Sequence, residues 1–144
     1  MRKMLLQIGF GSAIIITSLL VYVGFISGAI EVLRRYASEA RDDMSMSHVA
    51  TALILATIWL LAAQTVSVLI WSLAFRLLGI FGSMEPAVYF TLVTITTLGY
   101  GDITLDADWR ILSGMTAVNG LLMFGFSTAF LFEVFARMRG VVDR

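Results

Sequence analysis

Uncharged residues run without interruption from 5 to 30 and again from 49 to 75, and from 111 to 132 the only strongly polar residue is Asn119. At about 1.5 Å per residue, even the shortest run makes a helix of about 33 Å, against a hydrocarbon core of about 30 Å. Three transmembrane helices are therefore predicted. Between the second and third the pattern changes. Gly79 and Gly82 end the second helix, and Ser83 offers an N-cap. Glu85 suits the positive end of a helix dipole, and Pro86 is tolerated in a first turn. Residues 87–95 are apolar and aromatic but too short to span, which predicts a re-entrant half-helix. Asp106-Ala107-Asp108 then offers an N-cap for the last long helix, with Trp109 and Arg110 at the interface.

The first run is rich in Gly, Ser and Thr, which predicts close packing against other helices. Arg2 and Lys3 ahead of it, and Ser27-Gly28-Ala29 at its end, also allow a signal peptide, although the apolar part exceeds the usual signal core of about 7–15 residues. Residues 31–47 carry charges of both signs and predict a water-exposed connection, helical to about residue 40 and turning at Asp42-Asp43. His48 opens the second helix as a tolerated polar residue or a pH-sensing one. Trp71, with Arg76 after it, fits an interfacial anchor.

Composition narrows the function. Hydrophobic residues make up 59% of the 144 and charged residues 14%, more apolar surface than a soluble domain of this size can hide. Zero formal net charge gives no field for nucleic acid. The absence of cysteine removes disulfides, thiolate metal sites and cysteine nucleophiles, and one histidine cannot form a cluster. No enzyme chemistry and no cofactor are indicated.

The segment Thr96-Thr97-Leu98-Gly99-Tyr100-Gly101-Asp102 is irregular, polar and broken by glycine. Each unpaired backbone group in hydrocarbon costs several kcal/mol. A segment of this kind must be shielded by protein or line a water-filled path. Following a short apolar half-helix, between two spanning helices, it resembles the selectivity filter of the potassium channel pore-domain family, with Leu98 where Val is usual. The resemblance covers roughly residues 50 to 136.

The resemblance implies that four chains surround an axis and that the carbonyls of Thr97, Leu98, Gly99 and Tyr100 replace the water of a potassium ion. The Thr97 hydroxyl adds the innermost layer, and Gly101 completes the filter. Gly99 and Gly101 give backbone angles that other residues reach only at a cost. Tyr100 is expected to point away from the axis and pack behind the filter. Where members of the family carry a glutamate behind the filter, this chain has Val93, so a bracing carboxylate pair is missing. The family's aromatic partner of Asp102 falls on Tyr89, which predicts a hydrogen bond between them. Thr94 and Thr96 lie behind or beneath the filter, or cap carbonyls of the half-helix.

The last helix is similar to the family's pore-lining helix. Allowing one deletion near Arg110, Gly120 falls at the hinge position, where it serves either a gating bend or close packing. Ala117, Leu121, Phe124, Thr128 and Phe132 share one face, which is taken to be the pore, with Phe124 and Phe132 closing it by dewetting or simply packing. Asn119 is expected to bond a neighbouring helix. Glu133 is either an inner-mouth charge or a solvated side chain.

The expected fold is therefore an all-α membrane protein with three transmembrane helices, a pore half-helix and a filter loop, assembled as a homotetramer in the bilayer. Residues 1–30 form an additional helix, 31–48 a cytoplasmic connection and 49–138 the pore domain. Within that domain the outer helix is 49–78, the pore helix 84–96, the filter 97–102 and the inner helix 109–136. Arg34, Arg35, Arg41, Arg137, Arg139 and Arg144 put the connection and the C-terminus in the cytoplasm and the N-terminus outside, against Arg2 and Lys3. The first helix lacks the spaced arginines of a voltage sensor. Potassium is the permeant ion, and a prokaryotic plasma (inner) membrane fits the small size. A weakly selective cation channel, a potassium transporter subunit and a non-conducting regulatory subunit are the rival readings.

Overall fold

A computed structural model describes residues 1–39 and 46–142. The expected turn at Asp42-Asp43, Arg41 and Arg144 lie outside the described residues. Four helices succeed one another: α1 (Arg2–Glu39), α2 (Met46–Leu77), α3 (Met84–Ile95) and α4 (Arg110–Val142). Three of them contain spans long and apolar enough to cross a membrane, Arg2–Val32, Ser47–Leu77 and Arg110–Met138, whereas α3 is 12 residues long and cannot. The described residues contain no strand.

α2 ends where Gly79 takes φ +72°, its N–H bonded to the Arg76 carbonyl at 3.1 Å. The chain then turns back, and α3 packs against one half of α2 and α4 only. Two apolar clusters result. One joins α3 to the others through Ile14, Val68, Trp71, Phe75, Phe90, Ile95 and Leu112. The other lies at the far end and holds α1, α2 and α4 together around Tyr22, Met123, Phe130, Val134 and a row of alanines, Ala52, Ala56 and Ala63. Those alanines allow the close helix approach that lipid-embedded packing relies on. The small residues of α1 serve packing only in part: Gly11 lies against Met115 and Leu112, but Gly9 and Gly24 face nothing.

Three expectations about local structure need correction. Trp71 is fully buried, its ring 5.8 Å from that of Phe75. It is core, not an interfacial anchor, because α3 folds back over this part of α2 and covers it. Ser83 does occupy the N-cap of α3 in extended conformation, but its hydroxyl makes no cap bond. Finally, α4 begins at Arg110, one residue after the expected 109, and Asp108 does not cap it. The Asp106 carbonyl accepts from Trp109 N–H at 2.8 Å, while the Asp108 carboxylate is engaged by Lys3 Nζ at 2.8 Å.

Lys3 meets Asp108, Gln7 meets the backbone of Leu112, and Tyr22 meets Ser127, each pair 105 positions apart. A constant offset means that α1 and α4 run parallel and in register. α1 therefore starts on the same side as the segment between α3 and α4, and α2 runs back between them.

Candidate ion-conduction site

The site is built on the C-terminal end of α3, whose last carbonyls hold the start of the next segment. Thr97 N–H donates to Thr94 O at 2.9 Å and Gly99 N–H to Val93 O at 3.1 Å. These bonds draw the chain back under the helix end and start an extended segment there. Thr97, Gly99 and Gly101 have φ of +60°, +55° and +78°, while Leu98 and Tyr100 between them lie outside that region. Alternating the handedness of successive residues brings carbonyls to one side of a strand and N–H groups to the other. The two glycines reach positive φ at no steric cost. Thr97 does not, and a β-branched residue there carries backbone strain.

Nothing in the residue pattern pointed to that third left-handed position, nor to the part Val93 plays. The Val93 side chain supplies no carboxylate behind the filter, but its backbone carbonyl holds Gly99. Thr96 acts locally: its hydroxyl donates to Leu92 O at 2.7 Å, so it satisfies the half-helix. Beyond the segment, Tyr89 Oη donates to Asp102 Oδ2 at 2.6 Å within the same chain, the bond expected from the sequence. That hydroxyl is the main reason the Asp102 carboxyl sits below the usual carboxylate range. Desolvation opposes the shift, and the backbone around Asp102 and Ile103 assists it.

A second polar tie, unforeseen in the sequence, fixes α3 on α2. Ser72 Oγ lies 3.1 Å from Thr91 Oγ1, and both side chains are fully buried. Thr91 Oγ1 donates to Ala87 O at 2.7 Å, so across the helices it accepts from Ser72, whose one proton is divided between Thr91 Oγ1 and Val68 O, 2.7 Å away on its own helix. The order of residues does not show the partner of a serine or threonine in an apolar run, because the crossing of the helices sets it.

On α4, Leu121, Phe124, Thr128 and Phe132 are exposed in the single chain, Phe132 by 72%. Ala117, nearer the filter, joins Val93, Thr97, Gly99 and Gly101 around a groove of about 640 Å³. Gly120 points the other way, into α3. A Cβ added there would stand 1.8 Å from the Ile95 carbonyl oxygen. That gives the glycine a packing reason, and α4 runs unbroken through it. Asn119 Nδ2 donates to Ser67 Oγ of α2 at 3.2 Å, so the amide bonds a neighbouring helix. Glu133 pairs with Arg137 one turn on.

The groups that could receive a cation are the backbone carbonyls of residues 97–100. Among the described residues no three His, Asp or Glu side chains come together.

Two long apolar helices joined through a re-entrant helix and an exposed, glycine-bearing segment define a pore-loop membrane protein. Residues 54–137, more than half of the chain, match the family described as ion channel, and the chain belongs to that family. The match takes in α3, the glycine-bearing segment and most of α2 and α4, but not α1. No curated protein and no solved structure matches the chain.

Proposed function

We propose that this ion channel is potassium-selective and conducts passively as a homotetramer. The alternation of positive φ at Thr97, Gly99 and Gly101 is the observation that carries the reading. An ion leaving water needs oxygens at close spacing to replace its hydration shell, and four strands with carbonyls on one side supply them in stacked rings. The partly negative C-terminal end of α3 beneath those rings favours a cation.

Assembly is required by what one chain leaves bare. Residues 96–102 are exposed throughout, and Tyr100 is 68% exposed, with no wall behind it in its own chain. Irregular backbone of this kind is not stable against lipid. A ring of identical subunits, each covering its neighbour, buries the segment around a common axis. In that ring Leu121, Phe124, Thr128 and Phe132 face the pore, and Phe124 and Phe132 narrow it at the end away from the filter. The filter side is the outside, which places the N-terminus outside and the C-terminus in the cytoplasm.

Potassium and sodium flux into liposomes carrying the purified protein tests the reading, with Gly99→Ala as control. The expected result is potassium flux in large excess over sodium, blocked by barium and absent in the variant. Equal sodium flux would replace this reading with that of a weakly selective cation channel. No flux would favour a non-conducting subunit.

A further inference from the structure

We propose that α1 restrains the pore-lining helix and that Tyr22 is the positioning residue through which it does so. The inference rests on the reading of α4 as pore-lining.

Near the filter, α4 and the residues just before it are tied to each of the other three helices. Gly120 lies against the end of α3, Asn119 bonds Ser67 of α2, Gln7 Oε1 accepts from Leu112 N–H at 3.3 Å, and Lys3 pairs with Asp108. Past Gly120 these ties stop. Among the described side chains, one hydrogen bond joins residues 121–138 of α4 to another helix, and it is Tyr22 to Ser127. Its direction can be assigned. The Ser127 hydroxyl donates to Met123 O at 2.8 Å, so Tyr22 is the donor and Ser127 the acceptor. Tyr22 is 1% exposed and packs with Met123, Phe130 and Val134. These residues lie on the side of α4 turned away from Leu121, Phe124 and Thr128.

Widening a constriction at Phe132 requires this half of α4 to move away from the pore axis. α1 stands in that path, and the Tyr22 hydroxyl holds α4 to it. Beside the bond lies an open cleft of about 200 Å³, lined by Tyr22, Leu60, Leu61, Gln64, Ser127 and, from the pore face, Phe124. Close packing elsewhere would make α4 rigid. Here there is room for the side chains to rearrange once the bond is broken. Tyr22 thus sets the fraction of time the channel is open, without touching the ion path.

Tyr22→Phe is the informative variant, because Ser127 keeps its bond to Met123 O and no hydroxyl is left unpaired. Single-channel recording should show the open fraction raised about fivefold or more, the change expected from one hydrogen bond of ordinary strength. The potassium-to-sodium ratio should stay as in the parent, and the melting temperature should fall by no more than the few degrees that loss of one hydrogen bond produces. Ser127→Ala should act in the same direction, and the double variant no more strongly than the larger single effect. An open fraction that is unchanged or lower in Tyr22→Phe, or additive effects in the double variant, would overturn the proposal.

Hydrogen exchange gives a readout that needs no conduction. Amides of residues 121–138 should exchange faster in Tyr22→Phe, with those of 110–119 unchanged. Equal exchange in both stretches overturns the restraint. No flux from either the parent or Tyr22→Phe, together with the faster exchange in the variant, sinks the channel reading and leaves the restraint standing.

Discussion

The Tyr89 hydroxyl and the Asp102 carboxylate, 2.6 Å apart, tie the second turn of α3 to the chain just beyond Gly101. One end of the filter segment is anchored on the α3 carbonyls of Val93 and Thr94, and this bond anchors the other. Both partners are exposed in the single chain, so Tyr89→Phe should leave folding intact and loosen only the filter. The expected outcome is a severalfold faster loss of potassium current during sustained opening, with the permeability ratio falling. Current that holds as long as in the parent would show that the bond does not support the filter.

The same bond gives a pH dependence with a definite sign. Asp102 has a carboxyl held below the usual carboxylate range by Tyr89. Its contribution is therefore present above that range and is lost as pH falls through the lowered value. Filter stability, followed as the heat resistance of the assembled channel in potassium, should hold at neutral pH and drop only at strongly acid pH. In Tyr89→Phe the stability should already be lower at neutral pH and the acid drop smaller, because the carboxyl is no longer held down by the hydroxyl. An acid drop of the same size in the variant would disconnect the carboxylate from the bond.

Gly120 and Gly125 make a matched pair. In a free helix Gly→Ala is favourable by up to about 1 kcal/mol. At Gly125 a Cβ meets nothing within 4 Å of its own chain, but at Gly120 it meets a backbone oxygen at 1.8 Å. A backbone atom cannot swing aside, so either α4 or α3 must shift, and overpacking of this kind costs about 1–3 kcal/mol. Gly120→Ala is expected to lower the melting temperature or disrupt the filter, whereas Gly125→Ala should fold as the parent does. Normal stability and conduction in Gly120→Ala would mean that α3 and α4 yield to each other at low cost.

Trp71 separates two views of α2. An interfacial anchor can be replaced with little effect on folding. A fully buried tryptophan beside Phe75 and Phe90 cannot, and truncation to alanine should cost about 3–5 kcal/mol. Thermal unfolding in detergent checks this: Trp71→Ala should be strongly destabilised and Trp59→Ala much less, since Trp59 is exposed and contributes chiefly a bond to the Phe25 carbonyl at 2.7 Å.

Much of this protein could be read from its residues in order. Apolar runs longer than a bilayer is thick demand helices, because lipid offers no partner to the backbone. Gly79 and Pro86 placed the break and restart before α3 for local reasons of φ and the missing N–H. The glycine-bearing segment after a half-helix was legible because a polar, irregular stretch cannot face lipid. The Tyr89–Asp102 bond was within reach only through the resemblance to the pore-domain family, whose aromatic partner of the aspartate falls on Tyr89.

Tertiary structure decided what depends on distant parts of the chain meeting. Trp71 looked like an anchor until α3 covered it. Asp108 looked like a cap until Lys3 took its carboxylate. The φ of Thr97 was set by two carbonyls of α3, not by any preference of threonine. Most of all, the register that joins Tyr22 to Ser127 exists only because α1 lies beside α4 at a fixed offset of 105 residues. Helix periodicity gives each residue a face, but it does not say which helix will lie against that face. Only packing determines that, and packing put α1 against α4.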